Sequence, residues 1–130
     1  MSHTIKFFIL IVILLALVFC IGILSQGILS RSSIELGEKI VKVEESITAN
    51  DWASAAESIK EIREKWNTAK KTWAVLIDHF EIDNIDITMT RVEQYITCED
   101  TSSGLAEASA LHKYISHIPH KEILNLENIF

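Results

Sequence analysis

Residues Trp52 to Phe80, WASAAESIKEIREKWNTAKKTWAVLIDHF, decide the fold. Trp52, Ile59, Trp66, Trp73 and Phe80 recur at seven-residue spacing, and Ala55, Ile62, Ala69 and Leu76 follow three residues after the first four. Two apolar positions per heptad make one stripe on an α-helix, as packing against partner helices requires. The charges lie off that stripe, where Lys60 with Glu64 and Glu61 with Lys65 are spaced to pair along the wet face. Asn50 or Asp51 supplies an N-cap. The spacing predicts a helix over 51–80 with Trp52, Ile59, Trp66, Trp73 and Phe80 packed in a core. An aromatic ligand box is the alternative use for three tryptophans. Core packing accounts for them better, because Ile59, Ile62 and Leu76 share the stripe. A buried indole N–H still needs an acceptor, which places one Trp at the rim.

Working outward, Leu36, Ile40, Val43 and Ile47 form a second stripe over 32–48. No proline separates it from the apolar start of the chain, so one helix can run through both. After the Trp helix, Asp83 is positioned to cap a third helix, with Asp86 as a weak capping-box partner. Its buried side would be Ile85, Met89, Val92 and Ile96. Residues 99–104, EDTSSG, read as turn and cap, and Leu105, Ala108, Leu111, Ile115 and Ile118 follow as a fourth stripe. Pro119 suits the first turn of a helix. It is expected to restart a short terminal helix carrying Ile123, Leu124, Leu126, Ile129 and Phe130. Short connections imply antiparallel neighbours. One proline and four glycines leave few breaks for a turn-rich β fold. The expected class is all-α: an N-terminal transmembrane helix followed by a small antiparallel bundle of about four helices, standing on a membrane stalk.

The anchor runs from Phe7 to Leu24, FFILIVILLALVFCIGIL, eighteen residues without a charge. As a helix it reaches about 27 Å, close to the ~30 Å hydrocarbon thickness of a bilayer. A cleaved secretory signal carries a shorter apolar region and a small-x-small site. Here the run is longer, and Ser25-Gln26-Gly27 is the one plausible cleavage tripeptide. Lipidation at Cys20 is disfavoured by bulky Phe19 before it and by the apolar residues continuing after it. Cys20 reads as a lipid-facing or packing residue. An uncleaved anchor over 1–30 and a helical-bundle domain over 31–130 are the expected units. Counting Lys and Arg favours a cytoplasmic domain, whereas the very short leading end and the translocation of long domains regardless of charge favour the outside. The balance is N-terminus in, domain extracytoplasmic, at the cell membrane.

The chain has net charge −6, and every acidic residue lies after Ser30. Nucleic acid and anionic headgroups need a basic surface, so neither is the expected main partner. Cys98 is the single cysteine outside the apolar segment, so no intrachain disulfide holds the domain. A partly buried helix-end thiol is its expected state; reactivity or an intermolecular disulfide is the alternative. Histidines and carboxylates gather as His79, Glu81, Asp83 and Asp86, and again as His112, His117, His120 and Glu122. His79, Glu81, His117 and His120 are the metal candidates, should the terminal helix fold back. HExxH and ExxH patterns are absent, and histidine at a helix end with acids at the next helix start suits dipole capping better. No phosphate loop, nucleophile elbow or catalytic triad is present in the sequence. No cofactor is expected.

Trp66 with Trp73, HFEID at 79–83, VEQYI at 92–96, His117-Ile118 and the ending Asn128-Ile129-Phe130 resemble a family of small bacterial membrane-anchored, all-helical proteins of unknown function. The resemblance covers nearly the whole chain. It implies architecture and location, and action beside other membrane proteins, without chemistry. The expected function is a non-enzymatic accessory or interaction protein presenting an acidic bundle at the membrane surface. The alternative is a ligand- or metal-sensing bundle built on the His/carboxylate cluster.

Overall fold

Apolar residues recur at steps of three and four along most of the chain, and each such segment winds as a helix. The computed structural model describes the backbone of residues 2–129 and the side chains of residues 2–119. It contains α1 (His3–Thr48), α2 (Trp52–Leu76), α3 (His79–Thr97) and α4 (Thr101–Ile129), with no strand among the described residues. α1 packs on α2 and α4, and α3 packs on the same two, giving a square up-down-up-down bundle.

α1 does two jobs in one 46-residue helix. From Phe7 to Leu24 its large apolar side chains are exposed. Its first buried residue is Leu29, and Ser33, Leu36, Gly37, Ile40, Val43 and Ile47 continue the buried stripe. The bundle thus begins within one turn or so of the apolar stretch, and no stalk separates them.

Two turns at the far end share one design. Asn50 and Glu99 adopt φ of 55° and 54°. The N–H of Asp51 then reaches Ser46 O at 2.9 Å and that of Asp100 reaches Tyr95 O at 3.0 Å, the six-to-one bonds of a Schellman stop. Asp51 and Asp100 go on to cap the next helices through the N–H groups of Ser54 and Ser103. The hydroxyl of Thr101 ties the two turns together on the Asn50 side chain.

The core confirms the stripes read from the sequence, with two corrections. Ile59, Trp66 and Trp73 are buried and Trp52 is half-buried against them. Phe80 is 68% exposed and not in the core. The Trp helix stops at Leu76 because Ile77 turns extended and Asp78 accepts the N–H of Phe80 at 3.0 Å, starting α3 early. Asp78, not Asp83, is therefore the cap, and the seven-residue rhythm crosses a helix break. The second correction concerns Pro119, which begins no new helix and lies inside α4.

A proline inside a helix leaves the carbonyl four residues earlier without its N–H donor. For Pro119 that carbonyl belongs to Ile115, and the buried Ser33 hydroxyl of α1 donates to it at 2.8 Å. Gln26 Nε2 donates to the Pro119 carbonyl itself at 3.0 Å. The Ser33 hydroxyl thus replaces the donor the ring removes. Ser33→Ala should cost about 1–3 kcal/mol by stranding a buried carbonyl. In a Pro119→Ala background, where residue 119 regains its N–H, the same change should cost little. Urea unfolding of the four variants of this cycle measures the coupling, and additive effects would remove the compensation.

The α1–α2 register is fixed by polar pairs. Ser46 faces Ser54 at 3.1 Å, Lys39 faces Glu61 at 3.6 Å, and Glu35 pairs with Lys65. Glu61 and Lys65, expected to pair with each other along α2, reach across to α1 instead. The hydrogen bond from Lys65, then its charge, hold the Glu35 carboxyl below the usual carboxylate range, with slight desolvation opposing and Lys39 assisting. A lowered folded value means this pair helps stability above the ordinary carboxylate range and loses it as pH falls through the folded value. The expectations for the side chains of His120, Glu122, Ile123, Leu124, Leu126 and Ile129, and for Phe130, lie outside the described residues.

Candidate functional site

Three arrangements of polar side chains stand out, and each is built by the antiparallel packing. The first lies between α2 and α3. Asp86 accepts the Trp66 Nε1–H at 2.7 Å on one carboxylate oxygen and the Lys70 ammonium on the other, with Arg63 Nη1 at 3.5 Å. Arg63 Nε also donates to Glu93 at 2.9 Å, and its Nη2 donates to Thr90 at 3.0 Å. Arg63 and Lys70 are seven apart on α2, and Asp86 and Glu93 are seven apart on α3. The seven-residue spacing of opposite charges flanking the Trp seam was the signal for this network, and the reading of Asp86 as a capping partner passed it by. All its members engage one another, so it fixes the α2–α3 register and supplies the indole acceptor.

The second arrangement is the α3–α4 groove, lined by Glu81, Ala110, Lys113, Tyr114, His117 and Ile118. It unites Glu81 and His117 from the two histidine–carboxylate clusters. His79 is exposed at the first position of α3 and does not line the groove. The His120 side chain lies outside the described residues. Among the described residues no three His, Cys, Asp or Glu side chains are placed to hold a metal ion. One carboxylate and one imidazole fall short of the donor set a zinc site takes.

The third is a shallow groove between α1 and α4, lined by Gln26, Ser30, Ser33, Gly37, Glu38, His112 and Ser116 among others. Here the backbones approach closely: a Cβ on Gly37 would meet His112 Nε2 at 3.2 Å. His112 thus packs over a glycine at the floor between the two helices. Cys98, expected to be partly buried, is exposed at the C-cap of α3, and Cys20 is exposed within the apolar segment; both are free thiols.

Among the described residues one helix, α1, is long and apolar enough to cross a membrane, and its second half belongs to an antiparallel four-helix bundle. The chain belongs to the family described as Domain of unknown function (DUF4363), which matches residues 23–129. The match begins near the end of the apolar segment and takes in the whole bundle. Neither curated proteins nor solved structures give a match.

Proposed function

We propose that this protein is a non-enzymatic accessory protein, held in the cell membrane by α1, whose acidic bundle docks on another membrane protein at the outer surface. The observation that carries this reading is the change of character along α1. Among the described residues its apolar first half is exposed, while its second half closes a packed core. An apolar surface of that size exposed on a chain has a bilayer as its natural solvent. The polar network of Arg63, Lys70, Asp86 and Glu93 is engaged within the bundle, which favours a structural and binding role for it. The net acidic domain disfavours nucleic acid as partner. An outward domain accords with the translocation of long domains largely regardless of their charge.

Crosslinking of the full-length chain in native membranes is expected to recover one defined protein neighbour. Recovery of a monomer with no reproducible neighbour would overturn the docking role. A reporter fused after Phe130 should be active outside the cytoplasm; activity inside reverses the orientation.

A further inference from the structure

We infer that the α2–α3 turn is a second membrane contact, with Val75 and Phe80 seated in the interfacial zone of the bilayer that α1 crosses. The inference rests on the reading of α1 as a membrane span. Among the described residues of the bundle, Val75 and Phe80 are the most exposed large apolar side chains, at 83% and 68%. Their height follows from the α1–α2 register. Ser46 faces Ser54, Lys39 faces Glu61 and Glu35 faces Lys65, so each step down α1 matches an equal step along α2. Continued to the end of α2, this register sets Val75 level with Ser25 and Leu76 level with Leu24. That is where the uninterrupted apolar run of α1 ends. Phe80, in the first turn of α3, lies at the same height.

The tip is held in place. Leu76 and Ile77 pack on the core, Ile77 N–H bonds to Trp73 O at 2.9 Å, and Asp78 caps α3. Val75 and Phe80 are therefore presented outward by a fixed turn, not left over by a loose one. Exposed Lys71 and Arg31 stand about one and about two turns farther from the apolar level, toward the headgroup phosphates. Aromatic and aliphatic side chains below and basic ones above follow the layering of a bilayer surface. Asp78 and Asp83, exposed near the tip, carry negative charge, so the lipid chemistry is a zwitterionic headgroup zone with no gain from anionic lipid.

The test uses the full-length chain with Cys20→Ser and Cys98→Ser, reconstituted in phosphatidylcholine vesicles. A polarity-sensitive fluorophore is placed singly through Val75→Cys, Phe80→Cys, Ala53→Cys or Phe8→Cys, and is quenched by aqueous iodide or by lipid with a shallow nitroxide. Labels at 75 and 80 should resist iodide several-fold better than the label at 53, and the lipid nitroxide should quench them. Adding phosphatidylglycerol should not strengthen that quenching; a marked increase would replace the zwitterionic zone with anionic recognition and overturn the stated chemistry. If 75 and 80 behave like 53 while 8 is lipid-quenched, the span stands and the tip contact is wrong. If 8 is not lipid-quenched either, the span itself fails and takes the tip with it. Shielding of 75 and 80 from both quenchers would mean that protein covers the tip, which also overturns the inference.

Discussion

Trp66→Ala is expected to remove about 3–5 kcal/mol of stability, the cost of deleting a large buried aromatic side chain. A domain of this size holds roughly 5–15 kcal/mol, so the loss is about a fifth or more of the whole. Trp66 is fully buried and meets Trp73 edge-on, with ring centroids 5.3 Å apart and planes at 88°. Its Nε1–H also satisfies Asp86 at 2.7 Å. The alanine variant forfeits packing, the aromatic pair and that hydrogen bond together. Trp66→Phe keeps most of the packing and loses the bond to a charged acceptor, which is worth about 1.5–3 kcal/mol. Trp73 gives the contrast. It is equally buried, yet its Nε1–H finds no acceptor among the described residues. Trp73→Phe discards a donor already unsatisfied and should cost less than Trp66→Phe. Urea unfolding followed by circular dichroism in one detergent ranks the three variants. A Trp73→Phe variant weaker than Trp66→Phe would contradict the role given to Asp86.

The same residues show what a sequence can disclose about this fold. The stripes through Ile59 and Trp66, through Ile40 and Val43, and through Met89 and Val92 were legible because burial on one helical face imposes a period that charges cannot share. Phe80 was misplaced because a heptad rhythm carries no mark of a helix break. The break is decided locally, by the Asp78 carboxylate taking the Phe80 N–H. Pro119 was misread for the opposite reason. Local chemistry favours a restart there, but a serine far away in the chain supplies the missing donor. Nothing within a window around Pro119 encodes Ser33. The candidate site divides in the same way. Glu81 and His117 line one groove through the packing of α3 on α4, whereas His79 is exposed at the start of its helix and outside that lining. The Asp86 network was readable in principle, since it repeats at the spacing of the seam beside it.

Leu14→Arg combined with Val18→Arg should release the chain from the membrane while leaving the bundle intact. Each arginine at the centre of a span costs about 2.5–3.5 kcal/mol on insertion scales, so the pair shifts partitioning by several powers of ten. Leu14 and Val18 are 62% and 61% exposed, and the first buried residue of α1 is Leu29. Surface positions without partners change folding stability by about 0.5 kcal/mol or less. The original chain should therefore remain in the membrane pellet through alkaline carbonate washing. The double-arginine chain should move to the supernatant, with its thermal unfolding unchanged when both are measured in the same detergent. N-terminal sequencing of the pelleted protein separates an anchor from a processed signal: retention of Phe7 to Leu24 supports the anchor, and a start after Gly27 removes it. A lowered unfolding midpoint in the arginine variant would mean that this segment stabilises the bundle by packing. Extraction of the original chain by carbonate would deny the bilayer its part in holding the protein.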